Sequence, residues 1–355
     1  MQISQVEVIP LELTLQQPVR MANLPEIKQV SAIFIRIETL DGLNAWGCAI
    51  AHPNLTGESA ANALRICRAG ADLVPDLHPT NLEYSLAELA PVVNDSLAAR
   101  CAFDLAFHDL LGLAAGMPLY RLLGGYRNRI QTSATIPISS IQESVERAKA
   151  RAAHGFRMLK IKGGLDPEED VQRVRAISKT LPGIILRLDT DGGYSIQQAL
   201  DVARGLEGKL EMIEQPTPFD DLEAMRQVTS QSPVPILADQ SVTGPESALG
   251  LAANRAANGV SIKVACCGGL RCARQMDAIA RAARMVLMVS CLIEPALLIA
   301  AGLSFALSSP NVRYADLDGH LDLLADPTIP GFLLEDGWLV ATDSPGLGCR
   351  VGLEQ

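Results

Sequence analysis

From residue 131 onward the chain repeats one pattern, a short aliphatic run followed by a helical segment rich in Ala, Leu and Arg. The runs are "QTSATIPI" (131–138), "MLKIKGG" (158–164), "IILRLDTDGG" (184–193), "EMIEQP" (211–216), "VPILADQS" (234–241), "GVSIKVACCGG" (259–269), "MVLMVSCLIE" (285–294) and "RYADLDG" (313–319). These eight runs recur at roughly 25 to 29 residues, the period of one strand plus one helix. Eight such units predict an α/β protein built on a closed (β/α)₈ TIM-type barrel, with an open doubly wound sheet as the rival. The barrel is preferred because it gathers its chemistry at the carboxyl ends of many strands, where the polar residues of these runs sit. A length of 355 residues with 48% hydrophobic composition supplies the core that such a fold requires.

The front of the chain is organised differently. "QISQVEVIPLEL" and "SAIFIRIETLDG" alternate like strands, and helices follow through "ESAANALRICRAGADLV" and "LAARCAFDLAFHDLLGLAAG", an α+β unit over residues 1–125. The barrel then occupies 126–320, and the tail 321–355 reads as a strand and loop returning to the first unit. A formal charge of −10 and a pI near 5.1 repel polyanions, which argues against a nucleic-acid partner. No uninterrupted apolar run spans a bilayer, and the N-terminus lacks a basic end with an apolar signal core, so the expectation is a cytoplasmic protein without a membrane partner. The eight cysteines are scattered and read as reduced thiols. Homo-oligomerisation is left open.

The polar residues at the strand ends are Lys160 and Lys162, Asp189 and Asp191, Glu214, Asp239, Lys263, Asp316 and Asp318. Asp189, Glu214 and Asp239 fall on three consecutive strands, so their oxygens can converge. Three carboxylates that close raise one another's pKa unless a cation keeps them ionised, and a hard divalent ion, most simply Mg²⁺, resolves the conflict. Lys162 and Lys263 come from strands two and six, which bracket the acidic trio. Near a metal and near each other, these lysines are expected to have lowered pKa values, which provides a neutral amine as base on each of two faces. Taken singly, an acid at a strand end is more often a helix cap or a surface residue. The weight lies in the set, with a role-appropriate residue at the same end of successive strands.

In "AFDLAFHDLLGLAAGMPLYRLLGG" (102–125), followed in order by "LKIKGG", "LRLDTDGGY", "IEQP", "ILADQSV" and "IKVACCGGL", the chain resembles the enolase superfamily over nearly its whole length. Within that superfamily it is similar to the branch of muconate lactonizing enzymes and dipeptide epimerases. The resemblance implies a modified, enolase-like barrel with the front unit as capping domain. It also implies Mg²⁺ on Asp189, Glu214 and Asp239, acid/base roles for Lys162 and Lys263, and Lys160 against the substrate carboxylate as the enolate forms. Mandelate racemase itself is less similar, because its pattern wants a His on strand seven paired with an Asp on strand six.

The strand-eight "DLDG" resembles the motif by which dipeptide epimerases grip an α-ammonium group, so Asp316 and Asp318 are expected to hold a cationic amine. Thr135 and Cys291 fall where the family contacts substrate. Two departures stand out. Asp191 replaces a usual Asn and Gln240 a usual Glu, which places both near the metal shell. In the first-domain loop Leu24 falls where Ala-Glu epimerases carry an Arg, so the second residue of the substrate is expected to be apolar rather than acidic, with Arg20 nearby. The implied activity is Mg-dependent epimerisation of a dipeptide by two-base 1,1-proton transfer. The alternatives are a muconate cycloisomerase or an o-succinylbenzoate synthase-like lyase of the same superfamily and, more distantly, a Schiff-base aldolase using Lys263.

Overall fold

The computed structural model describes residues 1–22 and 24–353. The front unit opens with an antiparallel meander of β1 (Ile3–Val19), β2 (Ile27–Thr39) and β3 (Asn44–Ala51). Helices α1 (Ala60–Ala71), α2 (Leu82–Val93), α3 (Leu97–Ala115) and the single turn α4 (Leu119–Leu122) follow. Ser59 and Ser96 cap α1 and α3 by accepting from Asn62 N and Ala99 N, which fixes where each helix begins. Gly116 ends α3 in the left-handed conformation. Helix α3 is largely apolar and buried between β3 and the barrel, with Asp104, His108 and Asp109 as its buried polar residues.

The short β4 (Arg129–Gln131) leads into the repeat. Its strands are β5 (Ala134–Ile136), β6 (Met158–Lys162), β7 (Ile185–Asp189), β8 (Met212–Glu214), β9 (Ile236–Ala238), β10 (Gly259–Lys263), β11 (Val286–Ser290) and β12 (Val312–Asp316). The intervening helices are α5 (Ile141–Ala153), α6 (Pro167–Thr180), α7 (Ile196–Gly205), α8 (Leu222–Gln231), α9 (Pro245–Asn254), the short α10 (Val264–Cys267) with α11 (Leu270–Ala282), and α12 (Ala296–Ser308). All eight strands are parallel and neighbour one another in chain order from β5 to β12. The ends of that sheet meet at a single backbone bridge, Thr132 to Ala315, so the barrel is closed and the open-sheet rival is excluded.

The tail adds β13 (Thr328–Ile329), β14 (Phe332–Glu335), β15 (Trp338–Ala341) and β16 (Arg350–Val351). Strand β15 pairs with β4 beside the barrel, and Gly346 and Leu347 reach the front unit, where Leu119 N donates to Gly346 O and Leu347 N to Asp109 Oδ1. Asp109 also accepts from Trp46 N at 2.9 Å, so one buried carboxylate ties α3 to both β3 and the tail. Among the described residues no helix is long and apolar enough to cross a membrane. All eight cysteines are free.

Candidate active site

Strand register puts the acidic and basic residues in a row. Lys162 pairs with Asp189 across β6 and β7, and Asp189 with Glu214 across β7 and β8. Parallel strands in a barrel share one mouth, so side chains at their carboxyl ends face a common space. Lys160, Lys162, Asp189, Glu214, Asp239, Asp316 and Asp318 are all buried there, and Lys263 is nearly so. Lys162 Nζ lies 2.8 Å from Asp189 Oδ2 and 2.9 Å from Asp191 Oδ2. Lys160 Nζ lies 3.2 Å from Asp189 Oδ2 and 3.7 Å from Glu214 Oε2, and makes a close ion pair with Asp316. Lys263 pairs closely with Asp239.

In these pairings burial and charge pull the lysines in opposite directions. Burial alone would lower Lys162 and Lys263, but Asp189 and Asp191 raise the first, and Asp239 and Glu214 the second, above the ordinary lysine value. Lys160 is raised likewise, with burial opposed by Asp316, Glu214 and Asp189. Carboxylates surround these ammonium groups, and their charge outweighs the cost of burying an ammonium.

The three acids of β7–β9 differ among themselves. Burial pushes Asp189 up, but Lys162 and Lys160 hold it well below the usual carboxylate range. Glu214 rises to about 8 through burial and the charge of Asp189. Both Glu214 carboxylate oxygens are buried without a hydrogen-bond partner. Orphaned anionic acceptors flanked by two further carboxylates are what a hard divalent cation satisfies, so the donor set fits Mg²⁺. The convergence of the trio is incomplete. Among the described residues no three such side chains already stand at metal-holding distance, because Asp189 and Asp239 each turn to a lysine.

Across the mouth, Asp318 accepts from Thr135 N at 2.7 Å and from Thr135 Oγ1 at 3.3 Å, and Cys291 Sγ lies 4.0 Å from its Oδ1. Thr135, Cys291 and Asp318 therefore meet at one point. Burial, then Asp316 and Asp322, raise Asp318 to about 7. Gln240 Nε2 donates to Asp191 Oδ1 at 2.8 Å, so the two departures from the family pattern touch each other. Leu24 is half-buried in the loop between β1 and β2, while Arg20 of that loop and Lys28 at the start of β2 are exposed.

Several supporting residues had no signal in the spacing. Ser133 donates to Asp316 Oδ1 at 2.7 Å, and Arg187, buried inside the barrel, donates to Ser133 Oγ and to Ala315 O. Gln215 Oε1 accepts from Asp239 N at 2.9 Å and orients the end of β9. Glu294, buried after β11 and raised to about 8 by burial, accepts from Leu292 N. Its only mark in the sequence is an acid closing the apolar run "VLMVSCLIE".

Comparison with known proteins shows the family. Residues 3–124 match the family model described as mandelate racemase / muconate lactonizing enzyme, N-terminal domain, and residues 143–355 match the enolase C-terminal domain-like model. An L-Lys-D/L-Arg epimerase of Methylococcus capsulatus is 37% identical over 98% of this chain and 99% of its own length. A hydrophobic dipeptide epimerase of Enterococcus faecalis is 32% identical over 98% of this chain and 99% of its own length. The crystal structure of the Enterococcus faecalis V583 dipeptide epimerase complexed with Mg and L-Leu-L-Tyr superposes with a TM-score of 0.95 at 32% identity, covering 99% of this chain and 100% of that one. The Methylococcus capsulatus enzyme complexed with Mg and L-Arg-D-Lys gives 0.92 at 35% identity, covering 98% and 99%.

Proposed function

Because the chain belongs to the mandelate racemase / muconate lactonizing enzyme family of the enolase superfamily, we propose that it is a Mg²⁺-dependent dipeptide epimerase that inverts the α-carbon of the second residue. In this reading Asp189, Glu214 and Asp239 hold the cation, and the two buried Glu214 oxygens that accept no hydrogen bond are the observation that carries it. When bound, Mg²⁺ would engage those carboxylates, relax their hold on the lysines and oppose the charge that builds on the substrate carboxylate.

Lys162 and Lys263 stand on strands separated by β7, β8 and β9, so a carbon held in front of the acids has an amine on each side. One amine takes the α-proton, the electron pair delocalises onto the substrate carboxylate, and the other lysine, as ammonium, returns a proton to the opposite face. Lys160, lying between Asp189 and Asp316, is placed to meet that growing negative charge. Asp316 and Asp318 receive the α-ammonium group. Muconate or succinylbenzoate precursors have no cation for this pair, which disfavours the cycloisomerase and lyase readings. The inverted residue is read as apolar rather than acidic, since Leu24 is half-buried while Arg20 and Lys28 point no buried cation into the site.

The test is incubation of the protein with Mg²⁺ and a mixed dipeptide library in D₂O, reading by mass which members gain a deuteron. Apolar second residues should exchange and acidic ones should not. Lys162→Ala and Lys263→Ala should each lower epimerisation by about 10³-fold. Full activity in either variant, or exchange only with muconate or succinylbenzoate precursors, would overturn the reading.

A further inference from the structure

Away from the barrel mouth, an open cleft lies between the front unit and the outside of the barrel, walled by α2 and α3 on one side and by α11 and the end of α12 on the other. None of the active-site side chains described above lines it. Helix α11 turns Arg271, Arg274 and Arg281 into this cleft, three guanidinium groups on one helical face of a chain whose net charge is −10. Only Arg271 is neutralised, by Glu83 at 2.7 Å. Arg274 and Arg281 have no ion pair or side-chain hydrogen bond among the described residues.

Behind them sits His108, 1% exposed. Its Nδ1 donates to the Asp104 carbonyl at 2.8 Å and lies 3.2 Å from Asp104 Oδ1, so the ring is fixed, and its Nε2 has no partner. Burial disfavours the imidazolium, but Asp104 outweighs that and raises the pKa, while Arg274 is near enough to oppose the same charge. Arg274 and Arg281 are unpaired cations on that wall, and with Nδ1–H bound to a carbonyl the His108 ring offers an Nε2–H to an anion as imidazolium, the form Asp104 favours. A second orphan lies in the same wall: Asp277 Oδ2 accepts from Ser309 at 2.7 Å, but its buried Oδ1 accepts nothing. That carboxylate would repel a pure acceptor and welcomes a ligand with a donor of its own.

We propose that this cleft is a second binding site, for a small phosphate- or carboxylate-bearing molecule that also carries an O–H or N–H donor. Its anionic group would meet His108 Nε2, Arg274 and Arg281, and its donor would meet Asp277. Hydrogen phosphate and citrate each combine these features and serve as probes of the two sources. The experiment is isothermal titration calorimetry of the full chain with each probe, at an ionic strength matched with chloride. We expect saturable binding near one equivalent with a Kd on the order of 1 mM or tighter for at least one probe. The Arg274→Ala/Arg281→Ala double variant, altered only at exposed positions, should lose about tenfold or more in affinity, and Arg226→Ala on α8 should lose none. The tighter probe identifies the source as phosphate or carboxylate. Absence of saturable binding by both probes, or a loss below tenfold in the double variant, overturns the proposal.

Discussion

Asp191 and Gln240 touch at the edge of the site. Asp191 adopts a left-handed backbone (φ 46°) beside Lys162 and accepts the Gln240 amide at 2.8 Å. Gln240→Glu alone would set two carboxylates in contact, whereas with Asp191→Asn the amide and acid exchange places and the hydrogen bond runs the other way. The double variant is therefore expected to recover most of the kcat/KM and Mg²⁺ affinity that Gln240→Glu loses, with a coupling of about 1–3 kcal/mol. Additive losses would show that the two side chains act separately. Asp318 gives a pH dependence. Its carboxyl, raised to about 7 by burial and by Asp316 and Asp322, is protonated below that pH and charged above it. An α-ammonium group needs the charged form, so kcat/KM at saturating Mg²⁺ should fall about tenfold per unit as pH drops below 7. A dipeptide analogue lacking the amine should not show that fall. The gathering of Lys160, Lys162, Asp189, Glu214, Asp239 and Lys263 at one mouth was readable because strand ends in a repeating βα pattern are few and their side chains point one way. The ion pairing of the lysines was not readable, because it depends on how many carboxylates surround each amine, and Asp316 reaches Lys160 from more than 150 positions along the chain.

At the level of elements, the loops after β6 and β7 pack backbone against backbone. A Cβ at Gly193 would lie 2.1 Å from the carbonyl oxygen of Gly164, and neither backbone can yield without moving the strand end that carries Lys162 or Asp189. Gly193→Ala should therefore cost about 1–3 kcal/mol in stability. Turnover should fall by about 10²-fold, since small displacements of reacting groups are expensive. Thermal melts and kcat measured on one preparation check both, and wild-type turnover in this variant would show that the contact does not position the site. The strands themselves were legible from their period, and each falls within or one residue from its run. The network beneath them was not. Ser133, Arg187 and Gln215 act through partners on other strands, and such contacts have no fixed spacing in the chain.

In the whole molecule, α3 is the shared wall of the front unit and the barrel. Its Asp104 accepts from Leu270 N at 2.6 Å, at the start of the helix that follows the Lys263 strand, and its Asp109 holds β3 and the tail. The barrel's weakest backbone junction lies elsewhere, between β5 and β12, where the Thr132–Ala315 bridge and the Ser133 N to Ala315 O bond are followed by side-chain bonds from Thr135 to Asp318. The carboxylate that closes this gap is the one read as receiving the substrate amine. An occupant at that point acts as a suture, so deuterium uptake by the amides of residues 132–135 and 315–318 should slow when dipeptide binds, while the β8–β9 side, stitched by its own ladder, changes little.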